Sequence, residues 1–189
     1  MTAAAASPIT LSPQLEQIRR EVEEASARAR KLVAGLTDDQ LRRRPAPGRW
    51  SVAECLVHLS KSAEVNLPRV DAALDEARER NLRGDGPYHL DFVGGLLKWS
   101  LEPPYRMKVK TTAPFEPQDV EPAQALPRFL ASQAEILARV DRAPGLALDQ
   151  VKITSAFNSK VRYNAFAAFH IMLAHVRRHL WQAEQGCGQ

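Results

Sequence analysis

The sequence predicts an all-α fold, a four-helix bundle with a long crossover between the second and third helices. Four segments repeat apolar residues at helical spacing. One stretch of forty residues, 81–120, contains five prolines and four glycines and separates the second segment from the third. The length of 189 residues suits a single domain over 1–189, and we expect flexible tails at 1–11 and 186–189.

The first helix is predicted over residues 13–33. Ser12 is a suitable N-cap and Pro13 suits the first helical position, where no N–H is needed. Gly35 follows as a C-terminal stop. The helix has one apolar face, formed by Leu15, Ile18, Val22, Ala25, Ala29 and Leu32.

The second helix is predicted over residues 52–80 and starts with a capping box. The Ser51 hydroxyl can accept from the amide of Glu54, whose carboxylate reaches back to the amide of Ser51. Trp50 precedes the box as a hydrophobic staple residue. Pro68 lies inside the helix, and we expect it to bend the helix or split it in two.

The remaining elements follow the same patterns. Within the crossover we expect a short helix over 92–99 and extended chain over 106–112. The third long helix covers 123–142, where Pro127 is tolerated best near the first turn. The fourth, over 164–185, is apolar nearly all round in its first half, which indicates burial on several sides and an up-down-down-up connectivity.

Composition excludes several classes of protein. The net charge is +4, and the basic residues are scattered among acids except at 42–44, so we expect no nucleic-acid partner. Two cysteines, Cys55 and Cys187, cannot form a disulfide scaffold. The apolar run 165–174 is too short to cross a bilayer, and the start lacks the pattern of a signal peptide. We therefore expect no membrane partner and a cytoplasmic protein.

Three histidines are candidate metal ligands. His175 and His179 are four apart on the last helix, a spacing that lets two imidazoles bind one ion. A third ligand must come from another helix, and His58 is the candidate on the second. On helical wheels all three lie at the edge of the apolar stripe. That position fits a solvent-open site at the rim of the bundle, and it equally fits ordinary surface histidines.

Two segments resemble the DinB/YfiT-like superfamily of metal-dependent four-helix-bundle proteins. The first, residues 47–59, reads PGRWSVAECLVHL, similar to that family's Trp-Ser segment leading into a ligand histidine. The second, residues 175–182, reads HVRRHLWQ, similar to its H-x-x-R-H-x-x-Q pattern. The resemblance implies a metal site formed by His58, His175 and His179. It matches Arg178 and Gln182 to the motif as structural residues or partners of the ligands.

The resemblance also implies a divalent ion such as nickel or zinc, and a homodimer. Some relatives transfer low-molecular-weight thiols, so the leading function is a metal-dependent thiol S-transferase acting on a small thiol and a small-molecule electrophile. The alternative is a non-catalytic bundle, with a structural or vestigial metal site, that acts through dimerisation. Metal-assisted hydrolysis is a third possibility, but no carboxylate is clearly placed as its general base. No catalytic residue is assigned.

Other residues near the predicted ligands have two interpretations each. Cys55 precedes His58 by three residues and can lie near the ion, although core packing is the stronger interpretation. Glu54 can orient a ligand or serve the capping box, and the box is favoured. His170 can line a pocket or pack in the core, and packing is favoured.

The crossover adds a last group of candidates. His89 is most simply a surface residue, but with Tyr88 it can shape the mouth of the site if the crossover folds over the bundle end. Three basic residues can meet an anionic thiol or form one exposed face of a strand: Arg106, Lys108 and Lys110.

Overall fold

The structure is a computed structural model and describes residues 11–102, 115–117 and 120–187. In chain order the elements are α1 (Pro13–Val33), α2 (Asp38–Arg42), α3 (Val52–Glu79), α4 (Phe92–Leu101), α5 (Pro122–Asp141), β1 (Lys152–Thr154), β2 (Arg162–Asn164) and α6 (Ala165–Cys187). The four long helices are α1, α3, α5 and α6, and the crossover joins α3 to α5. The predicted all-α bundle and its crossover are confirmed.

Contacts between the long helices give their directions. α1 and α6 are parallel, and α3 and α5 both run against them. α1 and α6 contact each other through the pairs Glu21–Arg177 and Arg28–Glu184, and α3 and α6 through His58–His179 and Ser62–His175. Arg19 of α1 pairs with Asp141 of α5. Asp71 of α3 pairs with Arg139 of α5, and Leu56 of α3 shares a hydrophobic cluster with Phe129 of α5. The connectivity is up-down-down-up, as predicted.

The long helices begin where their capping residues predict. The Ser12 side chain accepts from the amide of Leu15 at the start of α1. At the start of α3, both bonds of the capping box between Ser51 and Glu54 are present. These caps satisfy amides that a helix leaves without an internal partner, and so they fix the position of each helix along the sequence.

Pro68 does not split α3, which runs unbroken from Val52 to Glu79. A proline inside a helix removes the hydrogen bond to the carbonyl four residues earlier, here that of Glu64. Both Pro68 and Glu64 are exposed, so water can hydrate that carbonyl. Of the two expected effects of Pro68, a bend or a split, the split is therefore wrong.

Three elements were not predicted, a short helix and two strands. α2 starts with a second capping box, formed by Thr37 and Gln40. β1 and β2 form an antiparallel hairpin of three-residue strands, with Ile153 opposite Tyr163. The hairpin leads directly into α6, and both Ile153 and Tyr163 are buried in the core.

The core forms two clusters along the bundle. The larger contains Ile18, Leu74, Ile136 and Phe169. The smaller contains Ala29, Leu56, Phe129 and Leu180 and lies near the start of α3 and the end of α6. The three candidate histidines share the turns of α3 and α6 that form this smaller cluster.

The first half of the crossover packs against α6. α4 is capped by Asp91, and Gly94 brings its backbone close to the last helix, because a side chain there would collide with Ala167. The predicted extended chain at 106–112 lies outside the described residues. Leu11, assigned to the N-terminal tail, is buried in the larger cluster. No helix among the described residues is long and apolar enough to cross a membrane.

Candidate metal centre

His58 lies on the second turn of α3, where the capping box fixes the helix start, and it is buried. Its Nδ1 lies 2.7 Å from the backbone oxygen of Phe115, in the second half of the crossover. Because a carbonyl oxygen only accepts, Nδ1 carries the hydrogen and donates it. The lone pair of the neutral ring is therefore on Nε2, which faces α6.

His175 meets His58 from the last helix. The two Nε2 atoms are 3.1 Å apart, and His175 Nδ1 lies 3.4 Å from the Ser62 hydroxyl. Ser62 is one turn beyond His58 on α3, so one helix supplies both a ring and a partner for the facing ring. When Nδ1–H donates to the Ser62 hydroxyl, Nε2 of His175 presents its lone pair beside that of His58.

His179 completes the group one turn after His175. It is buried, and its ring centroid lies 4.5 Å from that of His58 and 4.6 Å from that of His175. Its Nδ1 has no hydrogen-bond partner of normal geometry among the described residues, although Gln182 lies near enough to raise the pKa of the ring slightly. A buried ring nitrogen in this state is suited to ion coordination.

The three side chains fit a divalent ion. One ring nitrogen from each lies within 4.8 Å of the others. Around a tetrahedral zinc ion, nitrogens at ~2.0–2.1 Å from the metal lie about 3.3 Å apart. The two Nε2 atoms of His58 and His175, 3.1 Å apart, are close to this spacing. Imidazole is a common donor for zinc, nickel and copper.

The surroundings keep all three rings neutral. Burial lowers the pKa of His58, although the Phe115 carbonyl opposes this. Burial, with His58 and Arg178 nearby, lowers the pKa of His175 to about 3. Burial and the neighbouring histidines and Arg178 lower the pKa of His179 well below its usual value. Neutral imidazoles are the form that binds metal, so protons do not compete at neutral pH.

The expectation of an open site at the bundle rim is wrong for His58 and His179, which are 2% and 9% exposed. Trp50 covers both: its ring centroid lies 4.6 Å from that of His58 and 5.5 Å from that of His179. Phe115 covers His58 from the crossover. Only His175 keeps partial exposure. A helical wheel considers only the residues of one helix. Trp50 and Phe115 lie outside α3 and α6, so the wheel could not predict that they cover these histidines.

Two residues close to His58 in sequence have structural roles. The Glu54 carboxylate accepts from the Ser51 amide and pairs with Arg44. It therefore serves the capping box, as favoured. Cys55 is buried in the smaller core cluster and does not belong to the histidine group, which agrees with core packing.

The remaining candidates lie elsewhere. His170 is partly buried on another face of α6, edge-on to Phe166. His89 is exposed, as the simpler interpretation predicted, and Tyr88 is buried in the larger core cluster, so it does not shape the mouth of the site. The three basic candidates Arg106, Lys108 and Lys110 lie in the part of the crossover that is not described.

Sequence reasoning missed two partners of the three histidines. Ser62 stands four residues after His58 on a helix, a spacing that places both on one face and could have revealed it. Phe115 acts through its backbone carbonyl from 57 residues away in sequence, and no side-chain pattern indicates such a contact.

Fold and site together define the class: a four-helix-bundle protein with a three-histidine group of metal-binding type between its second and last long helices. The sequence model of the DinB superfamily matches residues 21–183, so the chain belongs to the DinB superfamily. This confirms the resemblance found in the sequence.

Among solved structures, the chain is similar to YfiT from Bacillus subtilis, described as a probable metal-dependent hydrolase with an unusual four-helix bundle topology. The TM-score is 0.60 and the identity is 18%, over 98% of this chain and 90% of that chain. At this identity the likeness shows the fold alone. No curated protein matches the sequence.

Proposed function

We propose that the protein binds one divalent metal ion, nickel or zinc, through His58, His175 and His179, and that it catalyses transfer of a small thiol to a small-molecule electrophile. One observation carries the proposal. Three neutral imidazoles from two helices converge within 4.8 Å. When bound, the ion would act as a Lewis acid and favour the thiolate form of a thiol.

The charge of the site supports an anionic co-substrate. The metal-ligating group contains no carboxylate among the described residues. Arg178 lies near enough to lower the pKa of both His175 and His179. The histidine group as described would therefore supply no negative charge to a bound ion, and Arg178 places positive charge nearby. A thiolate supplies the missing negative charge, and a thiol co-substrate also supplies the nucleophile, since Cys55 is buried in the core.

Hydrolysis is less well supported by the same residues. Water activation needs a general base close to the reacting water. Within the described residues the group consists of histidines alone, and Glu54 is held by Ser51 and Arg44. The description of YfiT as a probable hydrolase concerns that protein.

Metal content tests the proposal directly. We expect protein purified without an affinity tag to hold about one ion per chain by elemental analysis, or to take one up from nickel or zinc solution. His58→Ala should lose it, and His89→Ala, an exposed histidine outside the group, should keep it. Absence of binding in the wild-type chain would contradict the metal site. With the ion bound, consumption of thiols by model electrophiles tests the transfer reaction.

A non-catalytic role through dimerisation is favoured by one feature. α4 presents Phe92 and Leu96 outward, 85% and 52% exposed. Large apolar side chains on one exposed helix face are typical of contact surfaces. A homodimer that dissociates in Phe92→Ser, together with a metal ion that no thiol can reach, would favour this alternative.

A further inference from the structure

We propose that the β1–β2 hairpin, which supplies no ligand, controls how tightly the histidine group holds its ion, because Phe157 in its loop positions Phe115 and through it His58. The inference rests on the proposed metal site. It assigns Phe157 and Phe115 as positioning residues.

The first step is the contact between Phe115 and His58. The Phe115 carbonyl accepts from Nδ1–H at 2.7 Å and so selects the tautomer whose Nε2 lone pair faces His175. Without this acceptor, the hydrogen can move to Nε2 and leave His58 with no lone pair facing the other two rings. Partners of this kind typically change metal affinity by about 10–100-fold.

The second step is what holds the Phe115 carbonyl in place. The Phe115 ring is 2% exposed and stacks on Phe157, with centroids 4.2 Å apart and planes 17° apart. The neighbouring Glu116 carbonyl accepts from Lys61 of α3 at 3.0 Å. One anchor therefore comes from the helix that carries His58 and the other from the hairpin.

The hairpin is itself firmly placed. Ile153 and Tyr163 pair across the strands and are buried in the larger core cluster. Asn164, the last residue of β2, accepts from the amide of Ala167 in the first turn of α6 and donates to the His89 carbonyl at 2.8 Å. The hairpin that carries Phe157 is therefore connected directly to the start of α6. The stack links the helix that carries His58 to the helix that carries the other two ligands.

Phe157 offers a clean test because it contributes little to the core. It is 54% exposed, in the loop between the strands, while Phe115 is buried. A large apolar side chain that remains half exposed gains modest burial from its position. Substitution should therefore remove the stack without unfolding the bundle, which thermal unfolding checks.

The experiment measures zinc and nickel affinity of the whole chain by competition with a chromophoric chelator. We expect Phe157→Ala to bind about tenfold more weakly than wild type. Phe157→Tyr keeps the ring and should retain wild-type affinity. Phe92→Ala removes a more exposed phenylalanine, on α4, and should also leave affinity unchanged. Phe157→Leu serves if the alanine variant is unstable, and it should be weakened because it lacks the ring.

A second readout separates positioning from a structural role. In metal-free protein, 15N chemical shifts of His58 report which ring nitrogen carries the hydrogen. We expect Nδ1–H in wild type and Phe157→Tyr, and a mixture of tautomers in Phe157→Ala. Equal affinity and an unchanged tautomer in Phe157→Ala would overturn the inference. If wild type binds no ion, the proposed function fails, and an unchanged tautomer in Phe157→Ala would then overturn the positioning role separately.

Discussion

α6 carries two polar clusters on different faces, and their chemistry differs. The histidine cluster (His58, His175 and His179) faces α3. The arginine cluster (Glu21, Glu102, His170 and Arg177) faces α1 and α4, and in it Arg177 pairs with both carboxylates. Within the described residues the first is a group of histidines alone, whereas in the second one guanidinium pairs with two carboxylates.

This difference separates a binding site from a structural contact. Burial works against the charge of Arg177, but Glu102 and Glu21 raise its pKa and hold it charged. In this cluster both carboxylates have a cationic partner. The histidine cluster brings three imidazole rings together, and their nitrogens could bind one ion. The variants below test whether function and stability divide between the clusters in this way.

The largest expected effect is loss of a ligand. His175→Ala or His179→Ala should weaken zinc or nickel binding by about a hundredfold or more, because two imidazoles rarely suffice for a tight site. Isothermal titration calorimetry measures this, with Arg177→Ala as the control from the other cluster. Wild-type affinity in both histidine variants would show that the histidine cluster is not the metal-binding site.

Arg177→Ala should cost about 2–3 kcal/mol of unfolding free energy, because it leaves Glu21 and Glu102 partly buried without their partner. Urea unfolding measures the loss. Arg80→Ala removes an exposed pair with Glu76 within one helix and should cost only about 0.3–0.5 kcal/mol. A similar cost in the two variants would show that the arginine cluster is not structural.

His170 should make the arginine cluster sensitive to acid. Burial, Lys98 and Arg177 lower its pKa from 6.5 to about 4, while Glu21 and Glu102 oppose the shift. Below pH 6.5 the His170 ring is protonated in the unfolded chain, but in the folded chain it stays neutral until the pH falls to about 4. Stability contributed by the neutral ring is therefore complete above pH 6.5 and lost as pH falls.

The measurement compares His170→Gln with wild type by urea unfolding at pH 7 and pH 5. Wild type should lose about 1–2 kcal/mol more than the variant over this interval, after allowance for partial solvent contact. Parallel losses in the two proteins would mean that the ring is not held neutral. Metal affinity at pH 7 should be equal in both.

The smallest effect concerns the hydroxyl beside His175. Ser62→Ala should weaken metal binding about five- to tenfold, since Nδ1 of His175 loses its partner. Ser60→Ala is the matched control, because Ser60 is also buried on α3 but donates to the Leu56 carbonyl of its own helix instead of contacting a ring. Equal affinities in the two variants would show that the 3.4 Å contact does not orient the ring.

Local signals predicted most of the fold. Ser12 and Ser51 cap helices that begin as expected, and the apolar periodicity of α1 is the buried face seen in the structure. The capping box of α2, Thr37 with Gln40, was present in the sequence but precedes a helix of only five residues. The strands of the hairpin have three residues each, too few for an alternating pattern to stand out.

The sequence predicted which histidines come together, but it did not predict that they are buried or which residues cover them. The spacing of His175 and His179 and the segment around His58 led to the three histidines that converge. Their burial depends on Trp50 and Phe115, which belong to a loop and to the crossover. Contacts of this kind depend on how distant segments pack, which periodicity along one helix does not report.

The contact between His58 and His175 joins residues 117 positions apart. Closing a loop of that length in an unfolded chain costs about 4–5 kcal/mol of entropy. The folded bundle has closed it already through its hydrophobic core, so an ion meets three ligands in place. In the unfolded chain it would find only His175 and His179 close together in sequence. An ion bound here therefore acts as a reversible cross-link between the second and last long helices.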